Sequence, residues 1–402
     1  MPPAHLHPAE TSTASRRRRF LRRLCRLALL GAGLLAALLL ARLAFFAGPY
    51  RAPQPLPDLP LVDLHCHVAG LGAGGSGCFI SPALRDNWRF GFYLRAFGVS
   101  RAELEREGDA LLPARLSARL AQSRHVQQAV VLALDGVVDA AGNLDTNRTE
   151  FYVPNEFVAA AARRHTNLLF GASINPYRTD ALARLDWAAT NGAVLVKWLP
   201  AIQEIDPADP RLEPFYRRLV AHGLPLLTHT GSENSFTHSA EDSADPARLE
   251  FPLRLGVTVI AAHAAGGGAT AGERNLDRLA RLMVAHTNLF ADLSALTQFN
   301  RLGRLGEVLR RPEFRGRLVY GSDFPLINLP MVSPWYFPLN LRLAEMGRLG
   351  RVPNPWDRDV ELKQALGVPA DVFARPRQLL RRPRVGQLRK GCTTRVPRPG
   401  RR

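Results

Sequence analysis

A rhythm between residues 61 and 321 constrains this chain more than any other feature. Eight short apolar runs lie at 61–64, 128–134, 168–174, 193–199, 224–230, 257–263, 288–294 and 317–321. Segments of helical periodicity lie between them, at 114–125, 155–165, 180–191, 211–222, 246–255, 273–286 and 299–311. Runs this short, apolar at consecutive positions, have the pattern of strands buried on both faces of a parallel sheet. Parallel neighbours need crossover connections, and helices of this length supply them. Eight such units predict an α/β fold, a closed (β/α)8 barrel of the TIM type. An open doubly wound sheet shares the alternation, but no Gly-x-Gly-x-x-Gly opens a helix here.

The ends of the chain differ from this body. The formal net charge is +18 over 402 residues. Residues 1–50 hold eight arginines and one acid, and residues 375–402 hold ten arginines, one lysine and no acid. Those two segments, at +7 and +11, account for the whole excess. The body is therefore formally neutral and lacks the basic bias that a nucleic-acid partner selects. Seven arginines between Arg16 and Arg26 lead into fifteen uncharged residues, 27–41. Read through Arg42 to Ala47, the apolar segment has 21 residues, near the ~20 that span a bilayer. Arg17-Arg-Arg-Phe-Leu-Arg22 resembles a twin-arginine export signal, but no small-x-small cleavage site follows between Ala44 and Ala52. We expect residues 1–48 to be a cytoplasmic basic segment and a single-pass anchor in a bacterial inner membrane, with the body outside the cytoplasm. Export on a twin-arginine-like signal is the alternative. Residues 49–60 carry five prolines and read as a linker, 61–380 as the barrel, and 381–402 as a disordered basic tail.

In such barrels the reacting groups stand at the C-terminal strand ends and in the loops that follow. The first run leads into His65-Cys66-His67. Residues i and i+2 of a strand share a face, so the two imidazoles converge while Cys66 turns away. The fourth run ends in Val196-Lys197-Trp198, the fifth in Thr228-His229-Thr-Gly231 and the sixth in Ala261-Ala-His263. The eighth leads into Tyr320-Gly-Ser-Asp323-Phe-Pro325. Singly, each has an ordinary reading, such as a hydrogen-bonded histidine or a turn-capping aspartate. Together they place histidines from three strands and an aspartate from a fourth in one mouth. That donor set suits a divalent metal, which activates water near neutral pH and polarises a carbonyl. Three further residues are weaker candidates: Glu233 on the fifth loop, Arg178 after the third run as an anion clamp, and Asp135 ending the second run, where Asp-Gly also favours a turn.

Behind His67 runs Gly70-Leu-Gly-Ala-Gly-Gly-Ser-Gly77, which lacks the Gly-Lys-Ser/Thr of a phosphate loop and reads as a flexible loop over the site. Residues 78–113, with Phe79, Trp88, Phe90, Phe92, Tyr93 and Phe97, read as an inserted cap. Cys25, Cys66, Cys78 and Cys392 form no metal-type or scaffold spacing, and Cys66 and Cys78 are the pair that would bridge outside the cytoplasm.

His-x-His on the first strand, histidines on the fifth and sixth, and aspartate on the eighth resemble the amidohydrolase superfamily. Val196-Lys-Trp-Leu-Pro200, Thr228-His-Thr-Gly231 and Tyr320-Gly-Ser-Asp-Phe-Pro325 resemble its amidohydrolase-related branch, which includes aminocarboxymuconate-semialdehyde decarboxylase and related lactonases. The resemblance covers about residues 61–380. It implies that His65, His67, His229 and Asp323 bind one divalent ion, Zn2+ before Mn2+ or Fe2+. It makes His263 the acid/base residue, with Asp323 sharing the proton transfer. For Lys197 it implies either a carbamate bridging two ions or an ammonium binding a substrate carboxylate, and we expect the ammonium.

The expected function is a metal-dependent hydrolase of a small carbonyl-type substrate, an amide, a lactone or a related C–N or C–O bond. The same residues would support decarboxylation of a small unsaturated acid, a lyase reaction. A TatD-type nuclease also uses His-x-His in a barrel, but those proteins usually place an acid where Lys197 stands, and the neutral body gives nucleic acid no footing. A membrane-anchored binding protein without catalysis should have lost a ligand position, and here every one is filled.

Overall fold

The computed structural model describes residues 12–46, 54–87, 90–232, 236 and 239–380. Glu233, Trp88 and the tail 381–402 lie outside the described residues. The chain divides into two compact units, residues 1–50 and 51–402. The first contains one helix, Ser12–Phe46, in which Arg17–Ala41 is long and apolar enough to cross a membrane. Its leucines, Leu27, Leu29, Leu30 and Leu34 among them, are exposed.

The second unit is built on eight parallel strands whose order in the sheet follows the sequence. These are β1 (Leu61–His67), β2 (Val126–Leu132), β3 (Leu168–Ala172), β4 (Ala193–Trp198), β5 (Leu226–Thr228), β6 (Val259–Ala261), β7 (Leu289–Asp292) and β8 (Leu318–Val319). The connecting helices are α1 (Leu111–Leu120), α2 (Asn155–Arg164), α3 (Ala181–Thr190), α4 (Glu213–His222), α5 (Glu250–Arg254), α6 (Asn275–Ala285) and α7 (Arg304–Arg310), and α8 (Pro355–Ala365) follows β8. The sheet curls until its first and last strands meet. Cys66 bridges Phe324, the His67 N–H donates to the Phe324 carbonyl at 2.8 Å, and the Asp323 N–H donates to the His65 carbonyl at 2.9 Å. The architecture is TIM-barrel-like, as the alternation predicts.

Two apolar layers hold it. Val62, Leu64, Val130, Leu132, Val194, Leu227, Ile260 and Val319 pack together inside the sheet, joined by Leu380. A larger layer, including Leu116, Val158, Leu185, Leu219, Leu279, Val308 and Trp356, lies between strands and helices. The last four strands are shorter than their apolar runs predict. Residues beyond Thr228, Ala261, Asp292 and Val319 leave the ladder to form the mouth, so His229, His263 and Asp323 stand just past the ordered strand ends. Helix α1 starts and ends earlier than expected. Pro113 is accommodated in its first turn, and Ser123 with Asp357 captures the N–H groups of Arg124, His125 and Val126, which cannot then continue the helix.

The cap contains helices Pro82–Arg85, Phe90–Phe97 and Arg101–Glu107, and Phe79–Ile80 pairs with Phe151–Tyr152. The glycine-rich loop is not free, contrary to expectation. The fully buried Asp109 carboxylate accepts the N–H groups of Leu71 (2.9 Å) and Gly72 (2.8 Å) and the Ser76 hydroxyl. Cys66 and Cys78 are both free thiols.

Candidate metal centre

A fault in the register of β1 decides where its histidines point. Asp63 stands opposite Ala129 and Cys66 opposite Val131, so three residue steps on β1 match two on β2. An extra residue of this kind reverses the in–out alternation of a strand. Before the bulge Val62 and Leu64 face the interior; after it His65 and His67 do, and Cys66 joins the outer layer. The Asp63 carboxylate holds the kink. It accepts the N–H of His65 (3.0 Å), the N–H of Ser322 (2.9 Å) and the indole N–H of Trp356 (2.9 Å). Across the seam, a Cβ on Gly321 would lie 3.0 Å from the His65 Cβ, so a side chain there would press the two strands apart by a few tenths of an ångström.

The seam brings three donor atoms together. His65 Nε2 lies 3.1 Å from His67 Nε2, His67 Nε2 lies 3.2 Å from Asp323 Oδ1, and His65 Nε2 lies 3.6 Å from Asp323 Oδ1. Tetrahedral ligands at ~2.0–2.1 Å from an ion are separated by about 3.3 Å, so this triangle fits a divalent metal. Backbone strain gathers at the same place. His263, Ala264, Ala265 and Asp323 all have left-handed φ, between 48° and 62°, a conformation that costs a non-glycine residue on the order of 1–3 kcal/mol. The strain turns the side chains at the ends of β6 and β8 into the mouth.

His263 stacks on His65, with ring centroids 5.2 Å apart, and Lys197 Nζ lies 3.1 Å from His65 Nε2. Burial, reinforced by the Lys197 charge, lowers the His65 pKa to about 4. Burial also drives the His263 pKa well down. Both imidazoles are therefore neutral near pH 7, the form that ligates a metal or accepts a proton. Burial pushes the Asp323 carboxyl up, but His263, His67 and His65 outweigh it and keep it ionised.

Asp292, at the end of β7, was not anticipated. Its carboxylate lies 2.7 Å from His65 Nδ1 and accepts the N–H of His263 at 2.8 Å. Burial pushes it up, yet His65 and Ser294 hold it below the usual carboxylate range. The signal was present in Phe290-Ala-Asp-Leu-Ser294, an acid ending an apolar run at the same level as the other site residues.

The remaining candidates fall in different places. His229 is buried beside His263, with ring centroids 5.1 Å apart, and its backbone N–H donates to Trp198. Among the described residues it is in neither group of three whose ligand atoms lie within 4.8 Å of one another, which are His65–His67–Asp323 and His65–His263–Asp292. Arg178 pairs with Asp135 at 3.3 Å and Asp180 at 2.9 Å. Asp135 is buried and also accepts N–H groups of Gly136 and Asn175. Lys197 is buried at the mouth.

A family model described as amidohydrolase matches residues 62–363. The chain belongs to the amidohydrolase family. No curated protein sequence matches it. Among solved structures, a TIM-barrel protein of Bordetella bronchiseptica is similar at 18% identity, covering 76% of this chain and 99% of its own, with a TM-score of 0.46. A 5-carboxyvanillate decarboxylase of Sphingomonas paucimobilis is similar at 14% identity, covering 79% and 99%, with a TM-score of 0.38. An amidohydrolase of Bifidobacterium longum subsp. infantis is similar at 14% identity, covering 78% and 100%, with a TM-score of 0.39. With this family and these donor clusters, the amidohydrolase barrel is that of a metal-dependent enzyme, a hydrolase or a lyase.

Proposed function

We propose that this enzyme hydrolyses a small carbonyl-type substrate, an amide or lactone, at one divalent ion, with Zn2+ first among candidates. The observation that carries the reading is the triangle of His65 Nε2, His67 Nε2 and Asp323 Oδ1. In this reading His229 completes the set from β5. A divalent ion held by nitrogen and oxygen ligands lowers the pKa of water and polarises a carbonyl oxygen. The residues around it handle protons and orientation. Asp323 is ionised and accepts a proton as water attacks. His263, neutral and stacked on His65, takes that proton over from Asp323 and delivers it to the leaving atom, which returns both residues to their starting states. Lys197, an ammonium at the mouth, binds a carboxylate of the substrate. Arg178, which Asp135 and Asp180 hold, and Glu233 are in this reading candidates for outer contacts to the substrate. The closeness of this chain to the aminocarboxymuconate-semialdehyde decarboxylase branch belongs to the same proposal, as does anchoring of the barrel outside a bacterial inner membrane by Arg17–Ala41.

The test is a screen of lactones, amides and carboxylated unsaturated acids with the metal-loaded full-length protein and its H263N variant. Hydrolysis by the wild type, with turnover lost and metal kept in H263N, supports the proposal. Release of carbon dioxide reassigns the enzyme to the lyase reading. Loss of metal from H263N makes His263 a ligand and overturns its role.

A further inference from the structure

His65 belongs to both clusters of potential ligands, and its two ring nitrogens face different partners. Nε2 faces His67 and Asp323, while Nδ1 faces Asp292 at 2.7 Å and the Ser294 hydroxyl at 3.1 Å. Asp292 and Ser294 are fully buried. Besides His65, the Asp292 carboxylate accepts the His263 N–H (2.8 Å), the Ser294 N–H (3.0 Å) and the Ser294 hydroxyl. His263 has the same arrangement, because its Nδ1 faces the Ser294 carbonyl at 3.1 Å and the Ser294 Oγ at 2.8 Å.

An ionised carboxylate and a backbone carbonyl only accept hydrogen bonds. Nδ1 of His65 must then carry a proton to meet Asp292, and Nδ1 of His263 must carry one to meet Ser294. The Ser294 hydroxyl gives its own proton to Asp292, so its oxygen is left to accept from the imidazoles and agrees with both assignments. A neutral imidazole protonated at Nδ1 has its lone pair at Nε2. We infer that Asp292, with Ser294, is a single positioning hub that fixes the tautomer and ring orientation of both His65 and His263, and that the His65–His263–Asp292 cluster is not a second metal site. A second ion there would have to displace the His65 Nδ1 proton that Asp292 holds. The inference rests on the reading that His65, His67 and Asp323 bind a metal, and it adds a residue that acts through two others.

The experiment uses the full-length protein in detergent. Nitrogen-15 NMR of the metal-free protein reads the histidine tautomers, and titration with Zn2+ reads stoichiometry and affinity in wild type, D292N, S294A and H67A. The expected result is an Nδ1–H tautomer at His65 and His263 and one Zn2+ equivalent in the wild type. D292N should keep its fold, lose the pure Nδ1–H state at His65 and bind Zn2+ about 10–100-fold more weakly. H67A should lose Zn2+ yet keep the tautomers, which separates the hub from the ligand set. If D292N does not fold, the wild-type tautomers and the smaller loss in S294A still decide the matter. An Nε2–H tautomer at His65 in the wild type, unchanged Zn2+ affinity in D292N, or two wild-type equivalents of which D292N loses one would overturn the hub. Equal absence of Zn2+ from wild type and H67A would instead overturn the metal reading, leaving the tautomer measurement to judge the hub alone.

Discussion

Two polar clusters lie at the mouth of the barrel, and they are built on opposite plans. After β2, β3 and β4, Asp135, Asn175, Arg178 and Gln203 form a closed circuit. Asn175 donates to the carbonyls of Gly136 and Gln203, Gln203 donates to the Asp135 carbonyl, and Arg178 is shared by Asp135 and Asp180. Donors meet acceptors throughout, so the cluster ties loops together. On the seam of β1 and β8, two imidazole nitrogens and a carboxylate oxygen lie within 3.1–3.6 Å of one another, and Lys197 Nζ lies 3.1 Å from one of the nitrogens. A closed circuit stabilises a fold, whereas nitrogen and carboxylate atoms converging at this spacing suit a cation.

The largest difference between the two clusters should be in turnover. H263N should reduce the rate by about 10²–10⁴-fold with metal content unchanged, measured on any substrate that the screen identifies. The matching change in the closed circuit is D135A, which should destabilise the barrel by about 1–3 kcal/mol through orphaned N–H groups and leave metal content intact. Calorimetry with elemental analysis reads both quantities, and a D135A protein that melts like wild type but lacks metal would erase the distinction.

Acid should affect the seam on a smaller scale. In the folded, metal-free protein the His65 pKa is about 4, against an ordinary value of 6.5. Between those values the unfolded chain binds more protons, so stability rises with pH. The His65 contribution is complete above about pH 6.5 and is lost as pH falls toward 4. Thermal melts of metal-free protein across this window should therefore show decreasing Tm with acid, and the slope should shrink in H65Q. An identical slope in H65Q would mean that His65 is not buried neutral.

Much of this was legible in the sequence because strand periodicity and strand-end chemistry are local. The eight apolar runs announced the sheet, and His65, His67, His263 and Asp323 stood at their ends. The bulge was not legible. Val62 and Leu64 face inward, so strict alternation would have turned His65 and His67 outward, and only the shifted pairing with β2 reverses them. Asp292 was visible as an acid ending an apolar run, but its partners His65 and His263 come from strands far away in sequence. The same holds for Asp109, which orders a glycine-rich loop from 37 and 38 residues away and so removes the flexibility that composition suggests. Long-range hydrogen bonds choose among conformations that local sequence leaves open.

The proposed function requires one divalent ion at the seam of the barrel, held by His65, His67 and Asp323. Elemental analysis of full-length wild type, D323A and D135A, each loaded with Zn2+ and dialysed, tests it directly. Wild type and D135A should retain about one equivalent and D323A almost none. Equal metal in wild type and D323A would contradict it.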